Sequence, residues 1–329
     1  MSLSRREILS ATLAASVSAA VPIRLTAALG PTSAQVFVVK EPRRAAAVRA
    51  CLEALNLTSC AGQGVTVKAN YNSDDAFPAS THPETLAALL GALKERKTAS
   101  LTLAERSGMG DTRRVLERTG ASDVLARAGA RMVVLDEAAA TDWTPFTADH
   151  WPNGLHAARL FTDRPCVVQT MCGMTHRFGG HVTLSLKNTV GLLAKRVPGR
   201  AHDFMRELHG SSHQRVMIAE ANLAWRPAAS VMDCLEVFVD GGPEQGRRAA
   251  PGVFLTSSDR CALDATAIAL LRLAGMRGPA GTGHIGKTDQ LARALELGIG
   301  APPAQVEVVA VNTASREMAR QLTDQLAAG

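Results

Sequence analysis

The feature that most constrains this chain is a repeated alternation of short apolar runs with amphipathic helical stretches. Residues 65–69 alternate apolar and polar side chains as a strand does, and Leu86, Leu89 and Leu93 then recur on one helical face. The same pattern predicts further strands at 36–40, 100–104, 132–135, 229–233, 252–256 and 306–311. Strands that alternate with helices pair in parallel through right-handed crossovers. We therefore predict a three-layer α/β fold with a mostly parallel sheet and helices on both faces.

The pattern loosens between residues 140 and 215, a stretch that holds seven of the nine histidines together with Trp143 and Trp151. We expect an irregular, histidine-rich central insertion, with residues 140–225 as the segment that could form a sub-domain. No internal repeat or low-complexity tract follows the N-terminal segment. A single α/β domain over residues 35–329 therefore accounts for the rest of the chain.

The N-terminal segment has the pattern of an export signal. Arg5 and Arg6 precede a weakly apolar Ala/Ser/Leu-rich stretch, in the form Ser-Arg-Arg-x-apolar-Leu. This form is typical of signals for the twin-arginine translocase, and it predicts a periplasmic or secreted protein. Several small-x-small sites between Ala19 and Ala34 could be cleaved, so we assign residues 1–34 to the signal peptide. The alternative is an uncleaved amphipathic helix in which the arginine pair has no targeting role.

Composition argues against two classes of function. The formal net charge is +6, of which Arg5, Arg6 and Arg24 against Glu7 contribute +2, and the other basic residues are scattered among acids. A single Tyr argues against a stacking platform for single-stranded nucleic acid. No segment has the length and purity of a transmembrane helix. We expect a mild attraction for small anions, no nucleic-acid partner and no stable membrane span.

Six cysteines, at positions 51, 60, 166, 172, 234 and 261, include no C-x-x-C pair. An iron–sulfur cluster or a structural zinc site built from them is therefore not expected. Substrates of the twin-arginine pathway fold before export in the reducing cytosol, so this fold should not depend on a disulfide. We expect buried free thiols, and Cys51 with Cys60 is the first pair to test for a bridge.

Polar residues directly follow two of the predicted strands. Lys68 and Asn70 come at the end of one strand, and Glu105 and Arg106 at the end of the next. In doubly wound sheets, sites form outside the carboxyl ends of the strands, so parallel neighbours would bring these four residues to one edge. The alternative is that strand ends are polar because they are solvated, which is the favoured interpretation for the acidic pair at 74–75.

A second group of polar residues surrounds a glycine pair in the segment 174–191. It contains His176, His181, Lys187 and Asn188. A neutral imidazole can transfer protons or bind a metal near pH 7. A lysine beside an asparagine offers a cation and an amide to a substrate oxyanion.

Two further features are weaker. His209 and His213 stand at i, i+4, which suits a metal on one helical face, but two surface histidines are the favoured interpretation. Gly241 and Gly242 lie in a glycine-rich loop that could let a ligand approach the backbone or could simply turn the chain. The loop matches neither G-x-G-x-x-G nor the Walker pattern, so a nucleotide site is not indicated.

Seven motifs in this order resemble the family known as domain of unknown function 362, over residues 36–311. They are Lys68 and Asn70 in Val-x-Val-Lys-x-Asn, then 81–84, Glu105, His176 with 183–188 and Gly191, Asp233, 241–246, and 257–264. The resemblance implies an α/β fold, and it implies no established reaction. It strengthens the expectation that Lys68, Glu105, His176, Lys187 and Asn188 form one site.

One position departs from the family pattern. Met174 stands where relatives usually have lysine, two residues before His176, and Arg177 could substitute for that cation. Some relatives also carry a ferredoxin-like cysteine module, which this sequence lacks.

These observations predict an exported enzyme that acts on a small anionic substrate. His176 or His181 would transfer a proton, and Glu105 would orient the histidine or bind an assisting divalent metal. The residues expected to bind the substrate are Lys68, Asn70, Lys187, Asn188, Gly241 and Gly242. The alternative is a non-catalytic periplasmic protein that uses the same cleft for ligand binding or for maturation of a partner.

Overall fold

The computed structural model describes residues 21–164, 166–178 and 181–328. The strands are β1 (Ile23–Arg24), β2 (Ala34–Val39), β3 (Gly64–Lys68), β4 (Ser100–Glu105), β5 (Arg131–Val134), β6 (Trp143–Ala148), β7 (Trp151–Ala158), β8 (Cys166–His176), β9 (His181–Thr183), β10 (Ala229–Gly241), β11 (Gly246–Ala249), β12 (Val253–Ser257) and β13 (Val306–Ala310). The α-helices are α1 (Arg44–Ala54), α2 (Pro83–Glu95), α3 (Thr112–Arg118), α4 (Ala121–Ala128), α5 (Arg159–Thr162), α6 (Ser185–Asn188), α7 (Phe204–Gly210), α8 (Gln214–Ala221), α9 (Arg260–Leu273), α10 (Asp289–Glu296) and α11 (Arg316–Ala328).

The central sheet has ten strands within the described residues, and its main path runs β13-β2-β12-β10-β8-β3-β4-β5. Neighbours on this path pair in parallel except at β12, which is antiparallel to both β2 and β10. The prediction of a mostly parallel α/β sheet is therefore confirmed, with β12 making the sheet mixed. Because β3, β4 and β8 are parallel neighbours, their carboxyl ends lie at the same edge.

Helices cover both faces of this sheet. Val38 faces the core under α9, α10 and α11, whereas the next residue, Val39, faces the core under α1 to α4. Successive side chains of a strand point to opposite faces, so one strand contributes to both cores. None of the described helices has the length and apolar character needed to cross a bilayer.

Residues 140–225 contain the irregular region that the sequence predicted, but they also contain β8, a strand of the central sheet that the sequence did not predict. β6 and β7 form a small three-stranded sheet with the N-terminal β1. The core of this small sheet, with Trp143 and Trp151, is continuous with Ala104 and Val167 of the central sheet. The small sheet is therefore built onto the central sheet and shares its core.

The N-terminal residues from 23 onward pack on the domain. β1 pairs in parallel with β6, and Ala28 N donates to Leu297 O at 3.1 Å. The folded domain therefore extends to the N-terminal side of residue 35, where the sequence placed its start. The arginine pair and the rest of residues 1–20 lie outside the described residues.

Cys60 and Cys166 form a disulfide, with their Cα atoms 5.4 Å apart. The expectation of free thiols is wrong for these two residues, because the loop before β3 and the start of β8 bring them together across 106 positions. The described free cysteines are all buried, as expected: Cys51, Cys172, Cys234 and Cys261.

Candidate functional site

The carboxyl ends of β3, β4 and β8 open onto a cavity of about 520 Å³. It is lined by six of the residues predicted from the sequence: Lys68, Asn70, Glu105, His176, Lys187 and Asn188. Lys68 ends β3, Glu105 ends β4 and His176 ends β8, so the parallel strand order collects them. Asn70 follows two residues after the end of β3, and the short helix α6 adds Lys187 and Asn188.

Lys68 and Glu105 form a buried ion pair in the cavity wall. Lys68 Nζ lies 2.7 Å from Glu105 Oε2 and also donates to Ala69 O at 2.5 Å and to Asn188 Oδ1 at 3.3 Å. Burial lowers the pKa of Lys68 and raises that of Glu105, and their mutual attraction opposes both shifts. We assign an ion pair, because Ala69 N at 2.7 Å and the Asn188 amide oxygen stabilise the charged forms. The donors of Lys68 are thus all used within the protein.

A buried hydrogen-bond network holds α6 in place. Asn188 Nδ2 donates to Gln169 Oε1 at 3.2 Å, and Gln169 Nε2 donates to Ser185 Oγ at 2.6 Å. From α9, Asp264 accepts hydrogen bonds from Ser185 N at 2.7 Å and from Leu186 N at 3.0 Å. The side chains of α6 therefore reach the cavity from a fixed turn.

His176 and Lys187 contact each other in the cavity wall. His176 Nε2 lies 3.1 Å from Lys187 Nζ, and Phe178 N donates to His176 Nδ1 at 3.0 Å. Burial, and then the charge of Lys187, lowers the pKa of His176 to about 2. Burial, and then the charge of Arg106, lowers the pKa of Lys187 to about 8. The imidazole of His176 is therefore neutral throughout the physiological range of pH.

The cavity lining carries more positive than negative charge. Apart from Lys187, its charged side chains are four cations and two carboxylates: Lys68, Arg106, Lys195 and Arg206 against Glu105 and Asp203. Glu105 neutralises Lys68, while Asp203 caps α7 and pairs with Arg196 at 3.0 Å. The lining therefore keeps a net positive charge after these two carboxylates are paired.

Arg106 is a buried cation of this wall that the sequence placed only at a strand end. It is 4% exposed, and its guanidinium donates to Val190 O and lies 3.2 Å from Met205 Sδ. Its Nε finds no hydrogen-bond acceptor among the described residues, and the same holds there for the buried hydroxyls of Tyr71 and Thr183 in the same lining. Buried polar atoms without partners are costly, so this wall has hydrogen bonds left to make with a polar ligand.

His209 lies at the rim of the cavity, although the sequence suggested it only as a partner of His213. Its Nδ1 lies 2.7 Å from Met205 O and donates to it, which leaves Nε2 as an acceptor. The i, i+4 pair does not form on one helix, because α7 ends at Gly210 and His213 is the residue before α8. Only the high density of histidines in this region pointed to His209.

His181 lies outside the cavity lining, contrary to the prediction that it could transfer a proton there. It sits in β9 directly opposite His176, with a backbone φ of +61°. Its charged neighbours are Arg215 and Asp289, and burial lowers its pKa. The two histidines of this hairpin therefore have different surroundings.

Gly241 and Gly242 also lie outside the lining and instead turn the β10–β11 hairpin. Gly242 N donates to Gln245 O at 2.7 Å, and both glycines have positive φ. A Cβ on Gly242 would collide with Thr175 O of β8. Pro243, the next residue, reaches the cavity. The glycine pair thus serves the turn, which was the alternative that the sequence left open.

The position at which this chain departs from the family pattern is apolar in the structure. Met174 packs in a small cluster with Cys172 and Phe238. Arg177, the expected substitute for the missing lysine, pairs with Glu244 and lies outside the lining.

The predicted metal ligands do not fit a divalent cation in this arrangement. Glu105 is occupied by Lys68 and Ala69 N, and both ring nitrogens of His176 have partners. In the part of the chain that the structure describes, no group of three or more His, Cys, Asp or Glu side chains is placed to hold a metal. Neither Glu105 nor His176 is therefore available to bind a metal in this arrangement.

Comparison with known proteins places this cavity within a family. The family model for a domain of unknown function (DUF362) matches residues 65–269. No curated protein matches the chain. A similar solved structure is the lactate racemase apoprotein from Thermoanaerobacterium thermosaccharolyticum, with a TM-score of 0.45 and 15% sequence identity. That match covers 70% of this chain and 55% of that chain, so this chain spans about half the length of the racemase.

The matched region contains the whole cavity lining, from Lys68 to Pro243. It also contains Asp264, which anchors α6. The chain belongs to the domain of unknown function 362 family.

Proposed function

We propose that this protein is an enzyme that binds a small anionic substrate in the cavity at the ends of β3, β4 and β8. The main support for this proposal is the net positive charge of the lining, and in particular the buried cation of Arg106. Within the described residues this buried guanidinium has carbonyl and thioether contacts but no carboxylate partner. Burial lowers its pKa to about 10, so it remains charged at neutral pH. A buried charge is costly unless it is paired, and an anionic ligand would supply the missing partner.

The other charged residues of the lining divide into two roles. Lys195 and Arg206 would add to the attraction for the anion. Lys68 and Glu105 would hold the wall together, because their hydrogen bonds are satisfied by each other and by the neighbouring backbone.

Acid–base groups next to these cations favour an enzyme over a non-catalytic periplasmic binder. His176 is neutral and touches Lys187, and His209 has an acceptor nitrogen at the rim. Lys187, with its pKa lowered to about 8, can accept or donate a proton near neutral pH, and His176 contributes the hydrogen bond that positions this amine. A binding protein needs the cations but has no use for the proton-transfer groups beside them.

We also propose that the twin-arginine pathway exports the protein to the periplasm or beyond. The support is the Ser-Arg-Arg-x-apolar-Leu pattern, which lies outside the described residues. Replacing Arg5 and Arg6 with lysine should leave the protein in the cytoplasm with its signal uncleaved. Normal export of that variant would contradict the proposal.

A combined binding and turnover screen tests the proposed function. Small carboxylates and phosphate esters are titrated into the purified protein by calorimetry, and each ligand that binds is then followed for conversion by NMR. Arg106→Met should weaken binding about tenfold to a hundredfold, because a charge-assisted hydrogen bond is lost. The matched control is Arg320→Met, which removes an exposed cation from α11.

The outcomes separate the candidate functions. Binding followed by conversion supports the enzyme. A ligand that binds tightly through Arg106 and is never converted indicates the non-catalytic binder. Equal affinity of wild type and Arg106→Met for every anion would refute the site.

A further inference from the structure

The protonation state of Lys187 follows from the hydrogen bonds of His176. The N–H of Phe178 can only donate, so at 3.0 Å it makes His176 Nδ1 an acceptor. A neutral imidazole carries one proton, which must then sit on Nε2. Lys187 Nζ lies 3.1 Å from this Nε2–H, and only an uncharged amine has a lone pair to accept it.

An ammonium at Lys187 would disrupt this arrangement. It would need Nε2 as an acceptor, which moves the ring proton to Nδ1 and sets it against the N–H of Phe178. Two donors facing each other lose a hydrogen bond in a buried place, where that loss is costly. The tautomer of His176 therefore favours the neutral amine.

The other groups around Lys187 act in the same direction or are neutral. Arg106, from the end of β4, repels an ammonium, and partial burial removes the water that would stabilise one. His209 of α7 donates from Nδ1 to a carbonyl and adds no negative charge. Of the two carboxylates in the lining, Glu105 is neutralised by Lys68 and Asp203 pairs with Arg196.

We propose that Lys187 is the covalent nucleophile of this site and that it forms an iminium with the carbonyl group of a small oxo acid. This inference rests on the proposed function, because Arg106 would hold the carboxylate of the same substrate. A lysine becomes nucleophilic when it is desolvated or placed beside another cation, and Lys187 meets both conditions. The substrate class is a short aldehyde or ketone that bears a carboxylate, which the cavity volume of about 520 Å³ accommodates.

The chemical step balances without a further reactant. The Nζ lone pair attacks the carbonyl carbon, and the carbonyl oxygen receives one proton from the amine, which gives a neutral carbinolamine. One proton from solvent then protonates the hydroxyl, the C–O bond breaks and water leaves. The product is a cationic C=N linkage between Lys187 and the former carbonyl carbon, with no change in oxidation state.

Reductive trapping tests the covalent step. The full-length protein is incubated with glyoxylate or pyruvate and sodium cyanoborohydride, which reduces an iminium to a stable secondary amine. Peptide mass spectrometry should locate the adduct at Lys187. At neutral pH its fraction of free amine exceeds that of an ordinary surface lysine by roughly a hundredfold, so labelling should be selective. Lys187→Arg should abolish the adduct, and Lys94→Arg, on the exposed face of α2 outside the lining, should keep it.

Glycolate and lactate separate this inference from the proposed function, because they have the carboxylate but a hydroxyl in place of the aldehyde or ketone group. If they bind through Arg106 and neither oxo acid labels Lys187, the covalent inference is overturned and the anion site stands. If labelling is spread over many lysines or persists in Lys187→Arg, the inference is also overturned. If no acid binds and none is trapped, both proposals fail.

A measurement on the wild type alone removes any dependence on the folding of variants. Trace acetylation by acetic anhydride, read lysine by lysine, reports the free amine as a function of pH. Lys187 should reach half of its maximal rate near pH 8 or below, whereas a small lysine model compound added to the same solution should do so at about pH 10.4. A Lys187 profile that coincides with that of the model compound would overturn the inference.

Discussion

Lys68 and Glu105 place two opposite charges 2.7 Å apart, with side chains only 2% and 1% exposed. Gly191 packs directly against them, since a Cβ there would lie 2.7 Å from Lys68 Nζ. The glycine of this family motif therefore leaves room for the ion pair. A complete buried pair adds little net stability, but loss of one partner leaves a charge that water cannot reach.

Removing one member of this pair should therefore destabilise the protein strongly. Lys68→Met should lower the free energy of unfolding by about 3–5 kcal/mol, because Glu105 then remains buried without its cation. The double variant Lys68→Met/Glu105→Met should lose less than the sum of the two single variants, because it leaves no uncompensated charge. Urea denaturation monitored by circular dichroism measures all four proteins.

Arg320→Met provides the control for this series. Its partners Glu317 and Asp324 are exposed, so water replaces the lost contacts and no measurable change in stability is expected. Strictly additive losses in the double variant would show that Lys68 and Glu105 do not act as a pair.

The identities of the site residues could be predicted from the sequence, but their hydrogen bonds could not. Lys68 and Glu105 each end an apolar strand, and parallel strands bring their ends together. Whether a cation there is free or satisfied depends on atoms far away in sequence, such as Asn188, which lies 120 positions after Lys68. For the same reason the sequence expected Lys68 as well as Lys187 to bind the anion, whereas in the structure the donors of Lys68 are used by Ala69, Glu105 and Asn188.

At the scale of elements, the structure distinguishes turns that serve the fold from those that serve the site. The sequence left the loop at 240–246 open between a ligand contact and a tight turn, because glycine suits both. The close approach of Gly242 to Thr175 O shows that the hairpin must pack against β8. Such a contact between distant segments cannot be predicted from the spacing of residues within the loop.

The helix α6, which carries Lys187, depends on an acid from a different element. Asp264 is buried on α9 and accepts hydrogen bonds from Ser185 N and Leu186 N at the start of α6. These hydrogen bonds favour the carboxylate, but burial is the larger effect and raises the pKa of Asp264 from 3.8 to about 7. The contact between Asp264 and Ser185 spans 79 positions, so the spacing of residues in the sequence does not predict it.

The raised pKa of Asp264 predicts a particular dependence of stability on pH. Between pH 4 and pH 7 the folded protein holds a proton on Asp264 that the unfolded chain has lost, so stability falls as pH rises. The free energy of unfolding of wild type minus that of Asp264→Asn should decrease through this window by up to about 1.4 kcal/mol per pH unit. Urea denaturation of both proteins at several pH values measures the difference, in which other titrating groups cancel.

The opposite sign would have a clear meaning. If the difference rises with pH, the two backbone hydrogen bonds outweigh burial, and the carboxylate is the favoured form in the folded protein. A flat difference above pH 4 would likewise show that the pKa of Asp264 is not raised.

At the scale of the whole molecule, the layer architecture could be predicted because the periodicity of each segment is local. The strands before residue 140 and after residue 229 lie close to their expected positions. Residues 140–225 were predicted only as irregular, and the central strand β8 within them was missed. The core of the small sheet is completed by residues of the central sheet such as Ala104, a contact that local periodicity does not show. The pairing of Cys60 with Cys166 depends on the order of β3 and β8 in the sheet, which cysteine spacing does not encode.

The disulfide should add stability without being required for folding. A bridge that closes a loop of about a hundred residues stabilises by roughly 2–5 kcal/mol, chiefly by restricting the unfolded chain. Dithiothreitol should therefore lower the free energy of unfolding of the wild type by this amount. Dithiothreitol should not change the free energy of unfolding of Cys60→Ala/Cys166→Ala. It should lower the free energy of unfolding of Cys51→Ala by the same amount as that of the wild type, because Cys51 is a free thiol.

Export by the twin-arginine pathway sets a stricter condition on this result. The chain would have to fold in the reducing cytosol, so the reduced protein must keep its native circular dichroism spectrum and a cooperative urea transition at 25 °C. The apolar cores on both faces of the sheet make this the expected outcome, because the described bridge lies in one of them and the other packs without it. Unfolding of the wild type by reductant alone would contradict it and would count against export in the folded state.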